Sequence, residues 1–433
     1  MMLRLKKYLA PAVEYGFYLF VFLLPWQTKI ILRPAPSNFN EISLYLSHFI
    51  LLLVLIGFFV HKLHDKKPDE KITSLWLALV GTELGVLVSF FFAPDQWLAF
   101  YFYVLFLVGI SLFYILREGG AASGYDNPFL DKAKVMYCFF ASLFLQAGLG
   151  IYQFLSQSAP ANKYLGLAAH DPGNLGTAVI EVASGRWLRA YGGLDHPNIF
   201  GGVLALSLIA AAYLLASRTV IRRRKDIVES LALFIYYFVA LFALVFTFSR
   251  AAWLAALVGA VILLITLAFK RDAWIFGRFI VLMFFSTVMV LIAVMPYQDL
   301  CRVRLDASGR LEQKSLTERV VYMSEARQLW RQSWLTGIGV GNYSAALART
   351  DANAKKSWEY QPVHNFFLLL GTESGPFALV FFAIFLGLLI TKNRREVFAP
   401  ALFAALLVLM LFDHWLLSLP FGLIFLFLML GWL

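Results

Sequence analysis

The chain has 433 residues, 61% of them hydrophobic and only 15% charged, which excludes an ordinary soluble domain and calls for many membrane-crossing helices. A formal net charge of +11 would suit a nucleic-acid partner, but in so apolar a chain the Lys and Arg residues first report topology, and no nucleic acid is expected. Two cysteines, Cys138 inside an apolar run and Cys301 in a loop, are not placed to pair or to share a metal.

The N-terminus carries Arg4, Lys6 and Lys7 ahead of an apolar stretch that runs on through Glu14 and Pro25 with no small-residue cleavage site, so it reads as a retained first span and not as a signal peptide. Apolar runs long enough to cross ~30 Å of hydrocarbon fall near 8–31, 41–62, 72–92, 97–116, 133–156, 197–217, 229–248, 251–269, 275–296, 364–390, 398–412 and 415–432. The expected fold is an all-α polytopic membrane protein with about twelve transmembrane helices, one membrane domain over 1–433. With the N-terminus inside, the segments 1–7, 62–71, 117–134, 218–228, 270–278 and 391–396 hold 21 of the 37 Lys and Arg, whereas 32–40, 93–96 and 413–414 hold only Arg33. The positive-inside rule then places both termini in the cytoplasm.

Two long outer segments remain, 157–196 and 297–363, the second with ten Lys or Arg. Loops of this length in a compact protein are usually functional. Within 315–335 the residues Leu316, Val320, Met323, Leu329 and Trp330 fit an amphipathic helix able to lie on the membrane surface, and a turn-rich Gly337-Ile-Gly-Val-Gly-Asn-Tyr343 follows it.

Candidate chemistry gathers on that outer side. Pro362 suits a helix start and would put His364 in the first turn, where the partial positive charge of the terminus favours a neutral, proton-accepting ring. The plainer alternative is an interfacial histidine with its tip in water. Arg250, in Phe246-Thr-Phe-Ser-Arg, lies midway through an apolar run bounded by basic clusters, so the chain turns at the outer face beside it. An arginine at that depth costs about 2.5–3.5 kcal/mol to insert and usually lines a cavity or binds a partner; snorkelling is the alternative. Arg189 opens Arg-Ala-Tyr-Gly-Gly-Leu-Asp-His-Pro-Asn198, in which Asp195 or Asn198 would cap the sixth span and His196 has no metal partner at a fixed spacing. Arg319 opens the amphipathic stretch, with Arg327 and Arg331 on later turns. Glu373 is intramembrane, but nine residues beyond His364 on a helix it lies ~13.5 Å away and half a turn round, suited to packing or a polar track. There is no Asp-x-Asp pair and no Cys/His set with zinc spacing, so no metal and no cofactor are expected.

In order along the chain, Arg-Ala-Tyr-Gly-Gly-Leu-Asp-His-Pro-Asn, Phe-Ser-Arg, Ser-x-x-x-Arg ahead of Gly-Ile-Gly-Val-Gly-Asn-Tyr, and Pro-Val-His-Asn with Glu-Ser-Gly resemble the O-antigen ligase (WaaL-type) family and its superfamily of polymerases and protein O-oligosaccharyltransferases. The resemblance implies a fold similar to the GT-C glycosyltransferase class with a large helical periplasmic loop. It implies a multi-pass protein of the bacterial inner membrane whose site faces the periplasm. It also implies an undecaprenyl-diphosphate-linked polysaccharide as donor and lipid A-core as acceptor, among membrane lipids. By the same likeness His364 corresponds to the family's essential histidine, with Asn365 beside it, and Arg250 and Arg319 correspond to its essential arginines. Arg189 matches the arginine upstream of His-Pro-Asn, leaving His196, Asn198 and Glu373 as secondary candidates. A transporter would also have twelve spans, but it would place ionisable groups near the midplane and often in related halves, and no matching halves are seen.

Overall fold

The computed structural model describes residues 2–63, 73–118, 130–218, 224–306, 309–350, 356 and 359–433. The chain is an all-α polytopic membrane protein. Its helices are α1 Met2–Leu23, α2 Leu46–Leu63, α3 Ser74–Phe90, α4 Gln96–Glu118, α5 Lys132–Ser156, α6 Pro197–Ser217, α7 Arg224–Phe246, α8 Arg250–Lys270, α9 Ala273–Val294, α10 Gln298–Asp306, α11 Arg310–Gln332, α12 Tyr343–Thr350, α13 Phe366–Asn393, α14 Phe398–Phe412, α15 Trp415–Ser418 and α16 Pro420–Trp432. Among the described residues, eight helices are long and apolar enough to cross a membrane, and four more apolar helices of 10–17 residues accompany them.

Helices occupy the apolar runs expected from composition, with three changes. The first is shorter than 8–31: α1 stops at Leu23, ahead of Pro25, and Lys29–Arg33 forms strand β1, paired antiparallel with β2, Ile42–Tyr45. The β-branched Ile30 and Ile31 favour a pleated strand, so the second span begins as helix only at Leu46. The last run divides at Leu419, whose φ/ψ of −119/139° is the extended conformation that a following proline imposes, here Pro420. The third change is inside α13, where Gly375 at φ 76° breaks the helix before Pro376.

The bundle centre is made by α6 and α16. Residues Pro420–Gly431 of α16 are all buried, with Phe427 against Phe106 of α4 at 5.3 Å and Phe425 against Phe139 of α5 at 6.0 Å between ring centroids. Helix pairs close on small residues: a Cβ on Gly85 of α3 would stand 2.7 Å from the Ala378 backbone of α13. Residues 157–196 carry a hairpin, β3 Val179–Val182 with β4 Gly185–Leu188, and 297–363 carries α10, α11 and α12. Helix α11 is amphipathic, but it buries Tyr322, Ala326 and Leu329 and leaves Leu316, Val320 and Met323 exposed. Its Trp330 ring lies so near α13 that a Cβ on Gly371 would come within 2.3 Å of it.

Candidate active site

The segment leading into α13 does not place His364 in the helix. Asn365 is the N-cap, with φ/ψ −157/116° and its side-chain oxygen 2.8 Å from the Leu368 N–H, so the first turn begins at Phe366. The helix-terminus reason for a neutral His364 ring therefore passes to Asn365, and what faces the ring instead is Asp413. His364 Nδ1 lies 3.5 Å from Asp413 Oδ1, an electrostatic contact longer than a good hydrogen bond, and Nδ1 is buried with no hydrogen-bond partner. The ring centroid is 4.8 Å from that of His414 and 6.0 Å from that of Tyr322 on α11.

Asp413 and His414 join α14 to α15. The His414 N–H donates to Asp413 Oδ1 at 2.8 Å, and His414 Nδ1 is 2.7 Å from Ser418 Oγ. Burial alone would raise the Asp413 carboxyl, but the His364 and His414 rings and the His414 N–H reverse this and hold it well below the usual 3.8. His414 is pushed down by burial and then by the neighbouring His364, so its ring is neutral at neutral pH.

A polar chain continues from Asp413 to Arg189. Asn198 Nδ2 donates to Asp413 Oδ2 at 3.3 Å, and Asn198 Oδ1 accepts from Arg189 Nη2 at 2.7 Å. Arg189 is 5% exposed and also donates from Nε to the Thr247 carbonyl at 2.7 Å; burial and the Arg304 charge both lower its pKa. The cap of α6 is neither Asp195 nor Asn198 but His196, whose Nδ1 accepts from the Asn198 N–H at 3.1 Å. Burial and the Arg189 charge keep that ring below the ordinary histidine range, as an accepting nitrogen requires.

On the other side stand Arg250, Arg304 and Arg319. Arg250 opens α8 after the Ser249 cap, with Nη2 3.3 Å from Glu312 Oε2. Arg304 of α10 donates from Nη1 to Glu312 Oε2 at 2.6 Å and from Nε to the Phe248 carbonyl at 2.7 Å. Phe248 itself holds a positive φ of 46°, which turns the chain between α7 and α8 and aims its carbonyl at Arg304. Arg319 of α11 is half-buried and near enough to influence both Arg250 and His414, yet among the described residues it has no hydrogen bond or ion pair. Four arginines against the carboxylates of Glu312 and Asp413 leave two positive charges beside a histidine.

Glu373 is elsewhere. It is buried in α13 and accepts from the Gly341 N–H at 2.9 Å and the Tyr343 N–H at 3.1 Å, fastening the Gly337–Tyr343 turn and not touching His364. Asn365, besides capping, donates from Nδ2 to the Leu411 carbonyl at 3.0 Å, tying α13 to the end of α14 just before Asp413.

The structure thus brings together His364, Arg189, Asn198, His196, Arg250 and Arg319, and adds Arg304, Glu312, Asp413 and His414, which sequence reading passed over. A signal for two of them was present: Asp413 and His414 are the only ionisable residues after Glu396, in an otherwise wholly apolar stretch. His364, Asp413 and His414 also bring one donor atom each within 4.8 Å of one another, a metal-ligating composition with no fixed sequence spacing to announce it.

Fold and site define a polytopic membrane protein with an arginine-rich polar cluster around His364 and Asp413, where its bundle meets its long connecting segments. Residues 235–383, from mid-α7 to mid-α13, match the family model Wzy_C, described as O-antigen ligase. The match contains Arg250, Arg304, Glu312, Arg319 and His364; Arg189 and Asp413 lie outside it. No curated protein matches the chain.

Proposed function

We propose that this protein is an inverting glycosyltransferase that moves an undecaprenyl-diphosphate-linked O-antigen to a sugar hydroxyl of lipid A-core at the periplasmic face of the bacterial inner membrane. The observation that carries this reading is the meeting of His364 and Asp413 with a cluster of arginines whose excess is two positive charges, the complement of a diphosphate diester. Arg319, free of partners among the described residues, and Arg250, held by one carboxylate at 3.3 Å and the Arg304 carbonyl at 3.4 Å, are the groups best able to turn to phosphate oxygens; a guanidinium fork suits them. Arg189 has two of its nitrogens committed and supports the site through Asn198.

Asp413 faces Nδ1 of His364, which leaves Nε2 to take the proton from the acceptor hydroxyl. The hydroxyl oxygen then bonds to the anomeric carbon, the carbon–oxygen bond to the diphosphate breaks, and the electron pair leaves with the diphosphate, where the arginines stabilise it. One displacement inverts the centre. A cation at His364, Asp413 and His414 would occupy the base and sit among four arginines, so the chemistry is assigned to the side chains alone. A groove of ≈ 470 Å³ lined by residues such as Leu208, Tyr237, Trp253, Met283, Cys301 and Leu305 runs among α6–α9 and ends on α10, the helix that bears Arg304, as a polyprenyl tail beneath its diphosphate would require.

Purified protein supplied with lipid-linked O-antigen and rough lipopolysaccharide tests the assignment. Conjugate formation that persists in EDTA is expected. Growth of the lipid-linked glycan without conjugate would identify a polymerase, and transfer only to a serine or threonine hydroxyl would identify a protein O-oligosaccharyltransferase.

A further inference from the structure

A second recess, of ≈ 80 Å³, adjoins the site. It is walled by Asn38, the segment Gly166–Ala168, His170 and the segment Gly192–Asp195. Two connections tie it to the base. Phe39, next to Asn38, meets His414 edge-on at 5.5 Å, and Asp195 precedes His196, which lies within electrostatic range of both Asp413 and His364.

The walls are preformed. Residues 159–170 fold back on themselves through the Ala159–His170 and Asn162–Leu167 bridges and are fastened to the segment entering β1 by Thr28 Oγ1, which donates to the Tyr164 carbonyl at 2.8 Å. Gly166, at φ 67°, abuts the Gln27–Thr28 backbone so closely that a Cβ there would stand 2.1 Å from it, which only glycine permits. On the opposite wall Gln153 Nε2 donates to the Gly192 carbonyl at 2.8 Å, Gln146 accepts from the Gly193 N–H, and His170 stacks on Tyr191 at 3.8 Å and 16°. A site held open in this way loses little freedom on binding.

What the walls present is uncommitted polarity. Among the described residues the side chains of Asn38, His170 and Asp195 have no hydrogen-bond partner. Asp195 is accessible to water although protein surrounds it densely, as the wall of a recess should be, and the Lys29–Glu41 ion pair (2.6 Å) stands within electrostatic reach. A carboxylate, an amide and an imidazole around a space that would hold several waters suit a hydroxyl-rich ligand. The carboxylate repels phosphate, which separates this recess from the arginines.

We propose that this recess is the acceptor-sugar subsite, in which Asp195 and Asn38 hold the hydroxyls of the ring whose neighbouring hydroxyl is offered to His364. The inference rests on the glycosyl-transfer reading above and names where its acceptor glycan sits. It makes Asp195 and Asn38 determinants of acceptor choice.

The test uses full-length protein in nanodiscs. With rough lipopolysaccharide as acceptor, Asp195→Asn is expected to raise the acceptor KM about tenfold, the scale of one lost charge-assisted hydrogen bond, while the donor KM stays where it was. Asn38→Ala should shift the acceptor KM in the same direction and by less, and it carries the test should Asp195→Asn fold poorly. Core oligosaccharide released from rough lipopolysaccharide should show saturation-transfer NMR contacts with His364→Ala protein that vanish when Asp195→Asn is added, with binding of inorganic diphosphate unaltered. Equal shifts of donor and acceptor KM, or NMR contacts that survive Asp195→Asn, would overturn the subsite. Absence of conjugate from the unmodified protein, with Asp195-dependent oligosaccharide binding intact, would instead overturn the ligase assignment and leave the subsite standing.

Discussion

In the proposed reaction His364 and Asp413 act as a pair, and the two substitutions that separate them have different signatures. His364→Ala removes the proton acceptor and should lower kcat roughly 10²–10⁴-fold in the purified assay. Asp413→Asn keeps the shape but takes away the charge that orients and stabilises the ring, so kcat falls while donor KM changes little. Arg319→Lys keeps the charge and loses the fork, so activity should return only in part relative to Arg319→Ala; full activity of the lysine variant would rule out bidentate contact. The buried histidine leaves a trace in stability. His414 titrates below the ordinary 6.5 in the folded protein, so the unfolded chain binds more protons between the two values and stability falls as pH drops below about 6.5. Asp413 has its pKa depressed below 3.8, so its contribution is complete above that value and is lost only in stronger acid. Thermal unfolding in detergent between pH 7 and pH 5 should thus show a declining midpoint, and His414→Gln should flatten the decline. Of these residues His364 and Arg250 drew attention because each borders an apolar run, and Arg319 because it opens the amphipathic stretch; Arg304 and its partner Glu312 did not, because ten basic residues between 297 and 363 give no sign of which one turns inward.

The joint between α11, the turn after it and α13 is what holds Arg319 opposite His364. Its parts interlock: Ile338 N–H donates to the Thr372 carbonyl at 3.1 Å, Gly339 N–H to the Glu373 carbonyl at 2.9 Å, and the Glu373 carboxylate accepts from the Gly341 and Tyr343 amides. Gly375 at φ 76° opens α13 so that the turn can enter, and a Cβ there would stand 2.4 Å from the Leu335 carbonyl. Glu373→Ala would leave two buried N–H groups unpaired, at about 1–3 kcal/mol each, and should lower both the unfolding midpoint and kcat because α11 loses its anchor. Unchanged kcat in a destabilised variant would show that the joint is not what places Arg319. Sequence reading correctly saw a turn at the three glycines and an amphipathic α11, and it correctly separated Glu373 from His364. What it missed, the docking of one into the other, depends on backbone amides, which carry no residue-type signal.

At the scale of the whole molecule, apolar run length located the helices because hydrocarbon thickness sets a span, whereas the β1–β2 hairpin and the break at Pro420 were hidden within runs of uniform hydropathy. The proposed orientation can be read directly: in a background of Cys138→Ser and Cys301→Ser, a membrane-impermeant maleimide should label Ser184→Cys on intact spheroplasts and label Arg394→Cys only after lysis. The reverse pattern would invert the site to the cytoplasm. Helix α16 has a further consequence, for biogenesis. It is translated after every helix it touches, yet it occupies the middle of the bundle, enclosed from Pro420 to Gly431. The helices that precede it must therefore leave room for it in the bundle, and the stretch translated just ahead of it delivers Asp413 and His414 beside His364. The proposed site is consequently incomplete until the connection from α14 to α15 has been made, so a chain cut short before Asp413 is expected to form no conjugate in the purified assay.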